Sequence, residues 1–393
     1  MPSRQGHIKS RHGCSRCKQR RVKCNERAPC QHCSRRKEEC SLLRRSAVNS
    51  ITPLRSSSSL ESDPMFFLSH LSHGPRHQQT SCAATWGEDL YLMSHFTYST
   101  AGTLSQRAEM ARLWQSIVPE EAIACPFLIH GMLAVSALHV AGRRPSHRFR
   151  YERCCRQHQN QAIPEYRQAI QTISTDSVGR IFAMSYLVSI LSLAAVSDNA
   201  LRDEERHTEM QTSIDDIMAV VTVIRGIHAI VRPAHLRRRL MNSPYVILLT
   251  GHSPLSSSQR ASLPAHVPSR YQMLRDECLK DLIAPNDHEV YKLCTEAIDL
   301  LEKVHRDVFS VKPLEDAEFS YLVKWIALVP SGFVTLIRER HAAALVILGD
   351  FAVIFKWLEN IWFLKNWAAN ALRAIREAIS PAGREWLNAV SCF

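Results

Sequence analysis

Six cysteines near the start of this 393-residue chain constrain its folding more than any other feature. They are Cys14, Cys17, Cys24, Cys30, Cys33 and Cys40, and the first three recur as the last three after a constant offset of 16 residues. A repeated ligand set suggests two metal ions. Tetrahedral zinc takes four ligands, so six thiolates serve two ions only if two of them bridge. The pseudo-symmetric choice of bridges is the first cysteine of each half, Cys14 and Cys30.

Between Cys14 and Cys40 the apolar residues other than cysteine are Val22, Ala28 and Pro29, too few for a hydrophobic core. Segments this short are usually held by metal or by disulfides, and bound zinc can supply the folding free energy outright. The competing reading is a disulfide knot, with about 15 pairings open to six cysteines. The chain begins Met1-Pro2-Ser3-Arg4 without an apolar run, so no secretory signal is expected. A reducing compartment then favours thiolate and two zinc ions per chain over disulfides.

Residues 1–50 hold 14 Lys and Arg against three Glu, a net charge of 14 − 3 = +11, while the whole chain carries +12. That concentration of charge is the electrostatic footprint of a nucleic-acid binder. A lipid surface would attract it too, but a metal-built knot has no apolar face to insert. The run Lys18-Gln19-Arg20-Arg21-Val22-Lys23 has four cations and no acid. Its counterpart, Ser34-Arg35-Arg36-Lys37-Glu38-Glu39, is offset by two acids, so the first half is expected to approach DNA. A short helix starting at each C-x(2)-C pair would point the first run at a major groove, which admits a helix. The bland alternatives are solvated cations or a nuclear import signal. His32 lies inside the second C-x(2)-C pair, but six thiolates already fill both zinc shells.

Residues 14–40, with Pro29 between the halves, resemble the DNA-binding domain of fungal binuclear zinc-cluster transcription factors of the galactose-regulator type. The resemblance implies that Arg21 reads a CGG triplet, helped by the backbone of Arg20, while Lys18 and Lys23 hold phosphates. Arginine at position 21 stands where lysine is common in that family. Guanine readout should survive, since Arg can be bidentate to O6 and N7.

Residues 46–85 are rich in Ser, His and Pro and read as a disordered linker. No heptad repeat follows the cysteine module, so a monomeric DNA-binding unit is the default. Residues 86–393 are near neutral and dominated by helical periodicity. Leu128, Met132, Val135 and Leu138 step along one face after Pro126, and Leu345, Leu348, Phe351, Phe355, Leu358 and Trp362 step by three or four. A large all-α domain is expected. The stretches 122–142 and 181–197 are apolar enough for a membrane check, but their serines, histidines and Pro126 favour buried core helices without stable membrane insertion. Trp357, Trp362, Trp367 and Trp386 read as core before ligand box, Cys154, Cys155 and His158 as core packing, and Arg237-Arg238-Arg239 as a charged helix end or a second import signal.

The stretch 89–100, then Trp114, Val118-Pro119, Pro126-Phe127-Leu128, Ser136-Ala137-Leu138-His139, 341–348 and Trp362-Phe363-Leu364 resemble the regulatory domain of sterol uptake control proteins. Gly349-Asp350 departs from the small residue and histidine usual there. That resemblance implies an all-helical domain which in some members holds a sterol. Together these readings give a mainly α chain: a two-zinc finger at 1–45, a linker at 46–85 and a helical regulatory domain at 86–393. The expected function is a nuclear, non-enzymatic transcription factor that reads CGG-type sites and contacts the transcription machinery, with a sterol or other apolar effector. The alternative is a lipid-binding or enzymatic helical protein with an accessory finger, disfavoured because no catalytic constellation is recognisable.

Overall fold

The computed structural model describes residues 14–20, 22–27, 29–36, 40, 82–105, 107–197, 212–250, 266–309 and 320–391. The chain divides into two units, the cysteine module and a large helical domain. The expected linker lies outside the described residues as far as residue 81, and helix starts at Cys82. No strand occurs among the described residues.

The cysteine module contains two single-turn helices, α1 (Ser15–Gln19) and α2 (Gln31–Arg35). The principal helices of the large domain are α3 (Cys82–His95), α4 (Pro126–Arg143), α5 (Arg148–Gln171), α6 (Val178–Ser197) and α7 (Ile214–Ile230), followed by α8 (Ala234–Met241), α9 (His266–Met273) and α10 (His288–Phe309). The C-terminal third adds α11 (Ser320–Leu328), α12 (Ser331–Arg338), α13 (Ala342–Ile354), α14 (Trp367–Ala378) and α15 (Pro381–Ser391).

Local chemistry sets several of these boundaries. Pro126 occupies the first turn of α4, where its missing N–H costs no hydrogen bond. At α7, Ser213 Oγ accepts from the Asp216 N–H while the Asp216 carboxylate accepts from the Ser213 N–H at 2.8 Å, a complete capping box. The C-terminal carbonyls of α6 are taken up from another helix, by Asn370 Nδ2 donating to Val196 O at 2.8 Å and Ser197 O at 3.1 Å.

The periodic positions point inward as expected: Leu128, Met132, Val135 and Leu138 are buried on α4, which packs along α5. Every residue from Ala343 to Ile354 on α13 is buried, with α14 and α15 against it. Gly349 permits that approach, since a Cβ there would run into Leu387 of α15. Rings fill the surrounding space, with Trp325 stacked on Phe351 at 4.3 Å and Phe355 on Trp367 at 3.8 Å. The 345–362 register does not persist as one helix. α13 ends at Ile354, a tighter turn covers Phe355–Leu358, and Trp362 starts a separate turn. Trp367 is buried, while Trp357, Trp362 and Trp386 are partly buried against the same core.

Helix α6 is long and apolar enough to cross a membrane, and 83% of the apolar window is buried inside the domain. Its serines fold back onto their own helix: Ser185, Ser189 and Ser192 donate to Ile181 O, Ser185 O and Val188 O at 2.8 to 3.0 Å. That satisfies the hydroxyls without any partner from solvent. Helices α4, α7 and α14 pack on it.

Candidate metal centre and nucleic-acid interface

The halves of the cysteine module repeat each other in the hydrogen bonds made at their cysteine sulfurs. Cys14 Sγ caps α1 by accepting from the Cys17 N–H at 3.3 Å, and Cys30 Sγ caps α2 by accepting from the Cys33 N–H at 3.4 Å. The Cys14 N–H donates to Cys24 Sγ at 3.4 Å, and the Cys30 N–H to Cys40 Sγ at 3.3 Å. The helix-initiating bonds Lys18 N to Cys14 O and Ser34 N to Cys30 O follow the same offset. Asn25 Oδ1 accepts from the Gln31 N–H at 3.1 Å and ties the connection to the start of α2, while Glu26 takes a left-handed backbone conformation with φ 57°.

All six sulfurs are buried and together form the module's own core, separate from the core of the helical domain. They are free thiols, not disulfides. Their ligand atoms fall into two sets of four, Cys14, Cys17, Cys24, Cys30 and Cys14, Cys30, Cys33, Cys40, each within 4.8 Å. Cys14 and Cys30 are common to both. The Cys14 to Cys30 and Cys17 to Cys30 separations are 3.6 Å, and Cys14 to Cys33 is 3.7 Å. Two sulfurs on one tetrahedral zinc, each about 2.3 Å from it, stand about 3.8 Å apart, so the cage fits the ion; a disulfide needs about 2.05 Å. Burial pushes the Cys14 thiol up, but the Cys17 N–H and the Cys17, Cys30 and Cys33 thiols outweigh it and bring Cys14 down to about 6. Burial pushes Cys33 up to about 12. Burial also raises Cys17 and Cys30, so the remaining thiolates depend on the charge of the metal.

His32 is exposed and belongs to neither set of four. Lys18 and Lys23 are exposed, as a phosphate-contacting role requires, and Arg20 is exposed at the end of α1. Arg21 lies outside the described residues, as do Lys37, Glu38 and Glu39 of the second run.

In the helical domain, three stretches singled out by resemblance meet in one ring stack. Tyr91 stacks on His95, His95 lies against His139 at 5.2 Å, and His139 stacks on Trp362 at 5.1 Å. Thr100 hydrogen-bonds His139 Nδ1 at 3.0 Å, Ser136 Oγ donates to Leu92 O at 2.7 Å, and Trp362 Nε1 donates to Thr103 Oγ1 at 3.0 Å. Burial, with His95 and Arg143 nearby, lowers His139 to about 4 and keeps it neutral. Cys154 and Cys155 are buried, with thiols pushed up to about 12 by burial, which fits packing.

The sequence reading singled out Asp350 as a departure but missed its burial and its partner. Asp350, in the middle of α13, pairs with the equally buried Arg270 of α9, which also donates to Val390 O at 2.8 Å. Burial lifts Asp350 to about 6 against the pull of Arg270 and Tyr271. The signal available was an aspartate inside an otherwise apolar helix.

Residues 12–49 match the fungal Zn(2)-Cys(6) binuclear cluster domain, and residues 91–211 match the fungal specific transcription factor domain. A Zn(2)-C6 fungal-type transcription factor of Gibberella zeae is 22% identical, covering 98% of this chain and 85% of the relative. The transcription factor afumD of Aspergillus fumigatus, of the same type, is 29% identical over 55% of each chain, so this chain spans about half of that relative. Sterol uptake control protein 2 of Candida albicans is 29% identical over 110 residues, 28% of this chain and 15% of the relative. The cage and these matches define a protein with a two-zinc, six-cysteine module. The six-cysteine module and the helical stretch behind it thus each match a domain found in fungal transcription factors.

Proposed function

We propose that the chain is a DNA-binding transcription regulator of the Zn(2)-C6 fungal type, which acts in the nucleus and reads CGG triplets through its first cysteine half. All six cysteines ligate zinc, with Cys14 and Cys30 bridging the two ions. Arg21 specifies the triplet, the backbone of Arg20 assists, and Lys18 and Lys23 neutralise phosphate. The observation that carries this reading is the buried six-thiol cage with exposed Lys18, Arg20 and Lys23 beside its first helix. Two zinc ions pin the turn of α1, so the basic run is presented without the ordering cost a disordered peptide would meet. The domain limits proposed are 1–45 for the finger, 46–85 for the linker and 86–393 for the regulatory part, with α3 reaching back to Cys82. The chain works by binding rather than catalysis, since both matched families are transcription factor domains. Selection of preferred sites from a random duplex pool by the zinc-loaded chain tests the reading: CGG should be enriched, and a pool without that triplet would overturn it.

A second reading concerns the regulatory domain, where the similarity to sterol uptake control protein 2 favours an apolar effector of the sterol class. Sterols added to the purified chain should raise the melting temperature of the helical domain. An unchanged melting temperature across a sterol panel would leave that domain a protein-contact scaffold for the transcription machinery.

A further inference from the structure

Residues 217–275 contain eight arginines and neither aspartate nor glutamate, in a part of the chain that is otherwise near neutral. Three of these arginines have structural work. Arg225 donates to Ile326 O at 3.3 Å and Val329 O at 2.6 Å, Arg270 is paired with Asp350, and Arg275 bridges Asp299 and Glu302 at 2.7 Å. Arg260 lies outside the described residues. The remaining four, Arg232, Arg237, Arg238 and Arg239, are exposed on α8 and the turn leading into it.

This helix is built to display them. Leu236 and Leu240 are buried beneath it, and Arg239 Nε donates to Thr175 O at 3.3 Å, which fixes the helix against the domain. Arg232, Arg237 and Arg238 form no ion pair among the described residues. The charges that bear on neighbouring His228 are all arginines, namely Arg232, Arg225 and Arg237, and Arg225 in turn feels Arg232 and Arg338. Like charges left close together without ion pairs lower stability through repulsion, and an external anion would relieve it.

We propose that this arginine face is a second nucleic-acid contact, one that holds backbone phosphates beside the site read by the finger. The proposal rests on the DNA-binding function above. Guanidinium groups match phosphate geometry with paired N–H donors. The face offers only Met241 as an exposed large apolar side chain, whereas a protein partner needs buried apolar anchors. Phosphate contacts carry no such requirement. Between Cys40 and Cys82 lie 41 residues, a contour of at most about 140 Å, so both contacts can engage one duplex. A tethered second contact gains from effective concentration and needs little intrinsic affinity.

The test uses the zinc-loaded full chain and its Arg237→Ala/Arg238→Ala variant. Binding is measured by fluorescence anisotropy over a range of salt, on a minimal duplex of the preferred site and on one extended at both ends. On the extended duplex, the slope of log K against log salt should be shallower in the variant by about 1.8, at about 0.9 per lost phosphate contact. The two proteins should bind the minimal duplex alike, and Arg237→Lys/Arg238→Lys should restore the slope. Equal slopes for chain and alanine variant on the extended duplex would overturn the proposal. So would a variant that binds DNA normally but loses binding to a polyglutamate peptide, which would mark an acidic-protein surface. Failure of both proteins on the minimal duplex would refute the finger's DNA reading instead.

Discussion

Exchanging Cys14 for serine should damage zinc binding far more than exchanging Cys40, although both are buried cysteines of the same cage. Cys14 belongs to both four-sulfur sets, stands 3.6 Å from Cys30 and 3.7 Å from Cys33, and accepts the Cys17 N–H that starts α1. Cys40 belongs to one set. Structural zinc contributes about 10 to 16 kcal/mol through four ligands, or roughly 3 kcal/mol per ligand. Cys40→Ser should therefore cost about 3 kcal/mol at one ion and leave the other in place. Cys14→Ser removes a ligand from both, at about 6 kcal/mol in total, and should leave the module unfolded at ordinary zinc activity. Chelator competition followed by native mass spectrometry reads both quantities: two zinc ions for the wild type, one for Cys40→Ser, and none for Cys14→Ser. Equal losses for the two variants, or a Cys14→Ser chain that keeps one tightly held ion, would refute the shared-ligand reasoning.

Removing the carboxylate in Asp350→Ala leaves the Arg270 guanidinium buried without its partner, at a cost of about 3 to 5 kcal/mol. Calorimetry should show Tm lower by roughly 10 °C, and joint replacement by Arg270→Met and Asp350→Leu should recover much of that loss. Asp350 also gives a pH signature. Its folded value of about 6 lies above the ordinary 3.8, so its contribution to stability is full below 3.8 and is lost as pH rises through 6. The stability of the wild type minus that of Asp350→Asn should fall across that window, and a flat difference would contradict the assignment. Within the finger, Lys23→Ala should weaken CGG and scrambled duplexes about equally and reduce the salt slope by about 0.9, as measured by anisotropy.

The metal module was legible because its ligands are local and their spacing is the structure: the offset of 16 that relates the cysteines also relates their hydrogen bonds. The helical core was legible wherever one face repeats, as at Leu128, Met132, Val135 and Leu138. Periodicity failed beyond Ile354, because side chains spaced by three or four can stay buried while the backbone tightens and turns. The Arg270 and Asp350 pair was not legible, since the partners lie 80 residues apart and only packing brings them together. The arginine face was half visible. Arg237-Arg238-Arg239 stands out as a run, but its meaning depends on which arginines of the acid-free stretch are already engaged, and sequence alone does not reveal that.

Binding of the zinc-loaded chain to a CGG duplex and to a scrambled one, for the wild type and Arg21→Ala, tests the central claim most directly. The wild type should prefer CGG, and Arg21→Ala should lose roughly 1 to 3 kcal/mol on that site and bind both duplexes alike. An Arg21→Ala chain that keeps the preference, while Arg36→Ala abolishes it, would place the reading surface on the second half and contradict the claim.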